Sequence, residues 1–158
     1  MRVSVITVSD SVSDGKREDR SGVALAERCR ELSWEVISSS LVPDEESLIR
    51  AQLIALADSG KMDLILTTGG TGLGPRDVTP EATVATTNRL VPGLAERMRQ
   101  VGCEKTTKAA LSRAVVGIRG TTLIVNLPGS PRGAVESLDA IAELLPHAVA
   151  VLHGARHD

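Results

Sequence analysis

Apolar residues along this chain occur in short β-branched runs that alternate with stretches of helical periodicity. Residues 2–8 form the first such run and predict a strand, whereas the apolar positions of 45–58 recur at helical spacing and predict a helix. The same two patterns continue to the end of the chain. They predict strands at 2–8, 34–42, 62–68, 114–118 and 121–127, and helices at 22–32, 45–58, from Thr79-Pro80 onward, at 92–101, at 108–113 and after Ser130, with Pro146 kinking or restarting the last one.

Two of the predicted helices have a polar residue that could cap them. Ser21 can cap helix 22–32 and Asp44 can cap helix 45–58, because both residue types accept hydrogen bonds from free amides at a helix start. The stretch 9–21 is too polar for a core element and predicts a loop. The predicted core-facing positions are Val23, Leu25 and Ala26 in the first helix, Leu48, Ile49, Leu53 and Leu56 in the second, and Val135, Leu138, Ile141, Ala142 and Leu145 in the last.

The order of these elements indicates the fold class. Three strand–helix alternations in succession predict parallel strands joined by right-handed crossovers. The nearly all-apolar run 62–68 fits a central strand that is covered on both faces. Arg119-Gly120 predicts a hairpin turn, which adds one antiparallel strand. We therefore expect an α/β protein, a three-layer α/β/α sandwich with a mostly parallel sheet plus one antiparallel strand, in a single domain over 1–158.

Composition excludes several classes of protein. The chain has 158 residues, 42% of them hydrophobic, and a net charge of -2, which fits a globular domain and not a disordered one. Trp34 is the one aromatic residue, so a surface that stacks nucleic-acid bases cannot be built. The slightly acidic balance also argues against a DNA-binding surface. We expect no nucleic-acid partner, and we expect Trp34 to pack in the core.

The cellular location of the protein is predicted from targeting and membrane signals that the sequence does not contain. No apolar run approaches the length of about 18 residues that a membrane helix needs, and the N-terminus does not have the pattern of a signal peptide. Cys29 and Cys103 form no CxxC motif, and we expect both to be buried or half-buried thiols. These features predict a cytoplasmic protein without a membrane partner.

Unusual polar segments directly follow the predicted strands. They are Ser9-Asp10-Ser11, the segment 43–45, the glycine-rich loop 69–77 and the segment 128–130. Because ligands of open α/β sheets bind beyond the carboxyl ends of the strands, we expect these segments to meet at one edge. The segment 9–11 can hydrogen-bond a polar ligand or simply form an Asx turn.

The glycine-rich loop carries the strongest signal for a ligand. Glycines bring backbone N–H groups close to an anion. The loop is not a P-loop, because Pro75-Arg76 stands where Lys and Ser/Thr are needed, and it does not match the GxGxxG motif of dinucleotide sites. The candidate binding residues around it are Thr68, Gly69, Gly70, Thr71, Gly72, Pro75 and Arg76.

Two carboxylates at this edge suggest a cation. Asp44 and Asp77 each come shortly after a strand, and Mg²⁺ prefers one or two carboxylates together with phosphate oxygens. Asp44 could instead cap its helix and Asp77 could brace the loop. Ser130, in the segment Pro128-Gly129-Ser130-Pro131, could hold an anion at a helix start or serve as a plain cap.

Other charged groups carry weaker signals. His153 and His157 have the spacing of metal ligands but no third ligand, so we do not expect a metal there. Lys105, Lys108 and Arg113 could neutralise a phosphate, although a solvated face is the simpler interpretation. The run 15–19 is interpreted as a solvated loop.

Five motifs together resemble one family. They are TVSDS at 7–11, VPDE at 42–45, TTGGTGLGPRDVTPEAT at 67–83, LSRAVVGIRG at 111–120 and NLPGSP at 126–131. In this order they resemble the MogA/MoaB family of molybdenum cofactor biosynthesis, and the chain is similar to the G domains of gephyrin and its plant counterpart. The resemblance spans essentially the whole chain.

The resemblance implies a molybdopterin adenylyltransferase. Its substrates would be ATP and molybdopterin, it would use Mg²⁺ and release pyrophosphate, and it would be a homotrimer. Asp44 and Asp77 match the family's essential acidic positions, as catalytic residues and metal ligands. Gly69 to Gly72, Ser112 and Pro128 to Pro131 match its nucleotide and pterin pocket, with Ser130 where some relatives have Asn or Gln.

Two alternatives stay open at this point. The first is a non-catalytic MoaB-like molybdopterin-binding or carrier protein, and the second is a general nucleotide-binding regulatory domain. The chain does not contain the extra domains of the metal-insertion relatives, so molybdate insertion would be the task of a separate enzyme downstream.

Overall fold

A six-stranded sheet forms the centre of the computed structural model, which describes residues 1–156. Among its strands β5 runs antiparallel to both of its neighbours, β6 and β4, and the remaining pairs are parallel. The mostly parallel sheet with one antiparallel strand is therefore confirmed. The order is β2-β1-β3-β6-β5-β4, with β1 at Arg2–Val8, β2 at Glu35–Val42, β3 at Leu64–Thr68, β4 at Arg89–Leu90, β5 at Val116–Arg119 and β6 at Thr122–Leu127.

Helices cover both faces of this sheet, as the three-layer prediction requires. One core layer packs under α2, α5, α6 and α7, and the other packs under α3 and α4. The helices are α1 at Asp10–Ser13, α2 at Arg20–Glu31, α3 at Glu46–Asp58, α4 at Thr79–Thr86, α5 at Pro92–Cys103, α6 at Pro131–Ile141 and α7 at Leu145–Leu152, with a 3-10 helix at Thr107–Leu111. No helix within residues 1–156 has the length and apolar character that a bilayer crossing requires.

The central strands are apolar throughout because each one supplies side chains to both layers. In β3, Leu64 and Leu66 point into the layer under α2 and α6, whereas Ile65 points into the layer under α3. Neighbouring strands repeat this alternation, so the core is built from aliphatic side chains. Trp34 is buried just before β2 and packs in the first layer, as expected.

Two predicted core positions are wrong. Val23 is 53% exposed and Leu48 is 44% exposed. In α2 the buried positions include Leu25 and Cys29, one turn apart, and Val23 lies about 200° around the helix from Leu25. In α3 the buried stripe is centred on Ile49 and Leu53, and Leu48 lies at its flank.

Several predicted boundaries also differ. Asp19 caps α2, not Ser21, and α3 begins after Glu45 without any side-chain cap, so Asp44 does not cap it. The predicted loop 9–21 contains α1, and the two-residue strand β4 was not predicted. Cys29 is buried as expected, but Cys103 is exposed. His157 lies outside the described residues.

An ion pair closes the end of the sheet where β1 and β3 begin. The Asp63 carboxylate accepts hydrogen bonds from the Arg2 amide at 2.7 Å and from the Arg2 guanidinium at 2.8 Å. Nε2 of His153, which follows α7, lies 3.3 Å from the same carboxylate. The Arg2 guanidinium lowers the pKa of Asp63 to about 2.

Replacing this carboxylate should destabilise the fold in a pH-dependent way. A lowered carboxyl pKa gives stability that is present above the ordinary value of 3.8 and is lost as the pH falls through about 2. We expect Asp63→Asn to cost about 1–2 kcal/mol at pH 7, since the partner Arg2 is partly exposed and screened. Urea unfolding from pH 7 to pH 2.5 measures this, and the difference from wild type should shrink below pH 4.

The control for this prediction is Asp139→Asn. Asp139 pairs with Arg28 at 2.8 Å on the surface, where its side chain is 42% exposed. Surface pairs contribute little, so this variant should cost less than half as much. An equal loss in both variants, or a loss for Asp63→Asn that does not change with pH, would contradict the prediction.

Candidate functional site

A cavity of about 490 Å³ lies at the carboxyl ends of β1, β3 and β6. The chain leaves β1 toward α2 on one face of the sheet and leaves β3 toward α4 on the other, so a crevice opens between the two strand ends. The residues that line it are Thr7, Val8, Ser9, Val12, Arg17, Glu18, Asp19, Arg20, Ser21, Asp44, Thr68, Gly69, Gly70, Asp77, Gly129, Ser130 and Pro131.

The glycine-rich loop begins with two residues that only glycine fits. Gly69 has φ +104°, and a Cβ there would lie 2.2 Å from the Val8 carbonyl oxygen. Gly70 has φ +67°, and a Cβ there would lie 2.3 Å from Thr79 Oγ1 and 3.2 Å from Asp44 Oδ1. Thr79 Oγ1 also donates to the Gly69 carbonyl at 2.9 Å. The loop therefore lies directly against the end of β1 and beside Asp44.

Asp44 is held by a reciprocal pair of hydrogen bonds. The Asp10 amide donates to Asp44 Oδ2 at 2.9 Å, and the Asp44 amide donates to Asp10 Oδ1 at 3.0 Å. Arg76 binds both oxygens of the Asp10 carboxylate, at 3.0 Å each. This network joins the segment after β1, the segment after β2 and the glycine-rich loop. Arg76 is thus paired with Asp10, while the Asp44 carboxylate faces the cavity.

Asp77 sits in a tight turn at the far end of the loop. Its Oδ2 accepts from the Gly74 amide at 2.8 Å, and its own amide donates to the Gly74 carbonyl at 3.0 Å. The turn brings the Asp77 carboxylate back to the cavity wall. Bracing of the loop and exposure of a carboxylate to the cavity thus coexist in one residue.

Arg113 holds the outer side of the same loop. Its Nε donates to the Gly72 carbonyl at 2.8 Å, and its Nη2 donates to the Asp77 carbonyl at 2.6 Å. Its Nη1 contacts the Glu81 carboxylate, and the Arg113 hydrogen bond lowers the pKa of Glu81. The solvated face that the sequence suggested for Arg113 is therefore wrong, because its guanidinium is used to clamp the loop.

The third wall comes from β6 and α6. Thr68 Oγ1 donates to the Pro128 carbonyl at 2.7 Å, and the Gly69 amide donates to the Leu127 carbonyl at 3.1 Å. Ser130 caps α6 by accepting from the Gly133 amide at 3.1 Å. The capping role considered for Ser130 is confirmed, and the same residue also lines the cavity.

The electrostatics of the two carboxylates fit a cation. Neither Asp44 nor Asp77 forms an ion pair within residues 1–156. Burial, together with the charges of Asp10 and Asp77, raises the pKa of Asp44 even though the Asp10 amide opposes the shift. Residues 1–156 contain no cluster of three metal-binding side chains. Two carboxylates suit Mg²⁺ that completes its shell with phosphate oxygens, not a cage made of protein alone.

The structure brings many of the predicted site residues to this cavity and leaves others outside it. Those that line it are Ser9, Asp44, Thr68, Gly69, Gly70, Asp77, Gly129, Ser130 and Pro131. Those that lie around it without lining it are Asp10, Ser11, Thr71, Gly72, Pro75, Arg76 and Pro128. Ser112 lines a separate cavity of about 50 Å³ between α5, the 3-10 helix and β6, with Pro128 at its edge.

Sequence reasoning missed several residues at the site. Arg17 and Arg20 line the cavity, although Arg17 lies in the run 15–19, interpreted from the sequence as a solvated loop, and Arg20 lies in the predicted loop 9–21. Asp19 caps α2 and also accepts from Thr7 Oγ1 at 2.9 Å, which ties α2 to the end of β1. The signal that could have found them is their position shortly after a strand end at the predicted ligand edge.

Comparison with known proteins gives the family. Residues 4–147 match a family described as a probable molybdopterin binding domain. The chain belongs to this family. A molybdopterin adenylyltransferase of Helicobacter pylori (strain J99) is 38% identical over 156 residues, which are 98% of this chain and 89% of that protein. The molybdopterin adenylyltransferase of Escherichia coli (strain K12) is 39% identical over 90% of this chain and 74% of its own length.

Solved structures of the probable molybdopterin binding family share the fold. A molybdopterin biosynthesis enzyme MoaB from Thermus thermophilus has a TM-score of 0.92 and 52% identity, covering 99% of each chain. A molybdopterin biosynthesis Mog protein from Mycobacterium ulcerans has a TM-score of 0.87 and 38% identity, covering 95% of this chain and 97% of its own. The resemblance to the MogA/MoaB family that the motifs indicated is confirmed.

Removing the charge of Asp44 should make the ligand-free protein more stable. A carboxyl group with a raised pKa gives stability that is present below its unfolded-state pKa and is lost as the pH rises through the folded-state pKa, so at pH 7 its charge is a cost. Asp44→Asn keeps an oxygen for the Asp10 amide. We expect a rise of about 1–3 °C in the melting temperature at pH 7 with a chelator present.

Asp58→Asn is the matched control for this measurement. The Asp58 carboxylate binds Arg119 at 2.8 and 2.9 Å, and these hydrogen bonds lower its pKa. Its replacement should therefore lower the melting temperature or leave it unchanged. A fall in the melting temperature of Asp44→Asn would show that the charge of Asp44 is not a cost to the fold.

Removing Arg113 should loosen the glycine-rich loop. Arg113→Ala deletes the contacts to Gly72, Asp77 and Glu81 and should cost about 1–3 kcal/mol. Because Arg76 lies in this loop, trypsin cleavage after Arg76 reports local opening, and we expect it to become at least about fivefold faster.

Arg119→Ala is the control for loop opening. Arg119 also donates to a carboxylate and a carbonyl, those of Asp58 and Thr86, but it does not contact the loop. Its loss should lower stability without a comparable gain in cleavage after Arg76. Equal cleavage rates in the two variants would mean that Arg113 acts only through global stability.

Proposed function

We propose that this chain is a molybdopterin adenylyltransferase, which transfers AMP from ATP to the terminal phosphate of molybdopterin and releases pyrophosphate. The observation that carries the proposal is the pair Asp44 and Asp77, two carboxylates that form no ion pair within residues 1–156 and face one cavity beside the glycine-rich loop. The adenylyltransferases of Helicobacter pylori and Escherichia coli, at 38% and 39% identity, support it.

Catalysis of this reaction depends mainly on how the protein positions the two substrates. The reaction is an in-line displacement at the α-phosphorus of ATP by a phosphate oxygen, and both reactants are anions. A phosphate nucleophile is already ionised at pH 7, so no general base is required.

Asp44 and Asp77 would hold Mg²⁺ in this proposal. Bound there, the cation would neutralise the phosphates and stabilise the charge of the departing pyrophosphate. The protein's own part is to keep the two carboxylates facing the cavity, which it does through the Asp10 amide for Asp44 and the Gly74 amide for Asp77. A bound cation would also offset the burial and the repulsion from Asp10 and Asp77 that raise the pKa of Asp44.

Backbone groups would add donors for the phosphates. The Gly69 amide is already used by Leu127, so donors from the loop have to begin at Gly70 and Thr71, whose amides have no acceptor within residues 1–156. At α6 the position after Ser130 is Pro131, which has no amide hydrogen, so the donors at this end of the helix would be the amides of Gly129 and Ser130, both of which line the cavity.

The flat rings of adenine and pterin must be held without stacking on aromatic side chains. Trp34 is buried in the core before β2 and does not line the cavity. The walls available to the rings are aliphatic, from Val8 and Val12, and polar, from Ser9 and the glycine backbone. We therefore propose that the phosphates dominate affinity.

The proposal also includes the location of the enzyme, its oligomeric state and the enzyme that receives its product. We propose a cytoplasmic homotrimer that passes adenylylated molybdopterin to a separate molybdate-insertion enzyme, as the MogA/MoaB resemblance implies. Exposed apolar side chains such as Ile37 and Leu41 on the edge strand β2 are compatible with contact between subunits. Light scattering during size-exclusion chromatography measures the number of subunits.

Pyrophosphate release is the test of turnover. With ATP and Mg²⁺ the protein should release pyrophosphate only when molybdopterin is present, and a chelator should stop the release. Binding of molybdopterin without release would support the alternative of a non-catalytic carrier. ATP binding that is indifferent to molybdopterin would support a nucleotide-binding regulatory domain.

Asp77→Asn tests the role of the carboxylate within this reaction. The amide oxygen of Asn can still accept from Gly74, so the turn should survive while the charge is lost. We expect single-turnover adenylylation to fall by at least about 100-fold, as when a central electrostatic group is removed. Asp58→Asn, the same change at a carboxylate outside the cavity, should keep its activity. Full activity of Asp77→Asn would show that this charge is not needed.

A further inference from the structure

Two arginines are the cations of the cavity: Arg17, which lies between α1 and α2, and Arg20, the first residue of α2. Arg17 and Arg20 line its wall, and no other Lys, Arg or His does so among residues 1–156. Both are exposed, and neither forms an ion pair in this part of the chain. Their neighbour Lys16 differs, because it lies 3.9 Å from Asp14 and does not line the cavity.

Arg17 is tied to the segment that follows β1. The amides of Lys16 and Arg17 both donate to the Ser11 carbonyl, at 2.9 and 3.2 Å. Ser11 belongs to α1, whose cap Ser9 lines the cavity. The loop that carries Arg17 is therefore folded back onto the ligand edge of the sheet.

Arg20 is tied to the same place from the other side. It is the first residue of α2, and the cap of that helix, Asp19, accepts from Thr7 Oγ1 at 2.9 Å and from the Gly22 amide at 2.9 Å. Thr7 is in β1 and also lines the cavity. The start of α2, and with it Arg20, is thus anchored to the strand end beside the site.

The charges around the cavity leave these two guanidinium groups free for a ligand. Arg76 is occupied by Asp10, and the Asp19 carboxylate uses both oxygens for Thr7 and Gly22. Glu18 lies between the two arginines and carries a charge that opposes an anion. This segment gives the lining two available cations and one competing carboxylate, and Asp44 and Asp77 belong to other segments of the lining.

We propose that Arg17 and Arg20 form a phosphate-binding pair that holds a phosphate group of a substrate at the mouth of this cavity. The identity of the substrate rests on the proposed function, but the binding of phosphate does not. Guanidinium groups bind phosphate oxygens through charge-assisted hydrogen bonds, often two at a time. The phosphate belongs either to ATP, including the pyrophosphate that leaves, or to molybdopterin.

Calorimetry with Arg17→Ala, Arg20→Ala and the double variant tests this pair. The probes are pyrophosphate with Mg²⁺, ATP with Mg²⁺, and molybdopterin, each titrated separately. We expect each single variant to raise the dissociation constant of the affected probe about 5–10-fold and the double variant to raise it further. Lys16→Ala, with the same loss of charge one residue away, should change it less than twofold. Glu18→Gln should tighten binding.

The outcomes distinguish ATP from molybdopterin as the source of the phosphate. They also distinguish a failure of the arginine pair from a failure of the proposed adenylyltransferase function. A loss with pyrophosphate and ATP assigns the pair to the nucleotide phosphates, and a loss with molybdopterin alone assigns it to the pterin's phosphate. Either result stands even if no adenylylation occurs, because binding is measured without turnover. The pair would be refuted if Arg17→Ala and Arg20→Ala behaved like Lys16→Ala with every probe, or if wild type bound none of the three. Circular dichroism and melting temperatures should match wild type.

Discussion

The contact between Gly69 and the end of β1 is the constraint on which the site depends. Parallel neighbours β1 and β3 end at the same edge of the sheet, so the chain leaving β3 has to cross the Val8 carbonyl at once. Only a residue without a Cβ, at a positive φ, can make this crossing. It also sets Gly70 beside Asp44 and Thr79, which fixes the distance between the loop and the acidic wall. A larger side chain at either glycine would have to push the loop away from the strand and open the cavity.

The arrangement of charges around this loop leaves the carboxylates of Asp44 and Asp77 without an ion pair within residues 1–156. The protein uses Arg76 on Asp10 and uses Arg113 on the loop carbonyls, although either cation could have neutralised an acid of the cavity. Burial of the Asp44 carboxylate, together with the charges of Asp10 and Asp77, raises its pKa, which is a cost to the folded state at neutral pH. Such local costs are expected where a site is prepared for a charged ligand. The arginines therefore stabilise the scaffold, and the carboxylates of Asp44 and Asp77 stay available for the cation of the proposed function.

The fold could be predicted because its elements have strong periodicity. The fully buried strand β3 and the helix starts at Thr79 and Pro92 follow from apolar runs and from proline position. The parts that were missed depend on tertiary contacts. The strand β4 consists of two exposed residues, which are too few to show an alternation of apolar and polar positions. Asp19, and not Ser21, caps α2 because a hydrogen bond from Thr7 in β1 helps to hold the Asp19 carboxylate in place. Local propensity cannot register either effect.

The site was predictable to the extent that it is made of strand ends. Ser9 and Gly69 follow strands directly and Asp44 comes two residues after β2, and parallel strands bring their ends together without further information. Arg17 and Arg20 come later in a charged segment, and their position at the cavity depends on the backbone folding back onto Ser11 and on a helix cap. The composition of this segment predicts that it is solvated. The two arginines are indeed exposed, but they also line the cavity, which composition does not predict. A charged loop that leaves a strand at the ligand edge and folds back onto that strand end is therefore better treated as part of the site, because its side chains then lie at the cavity.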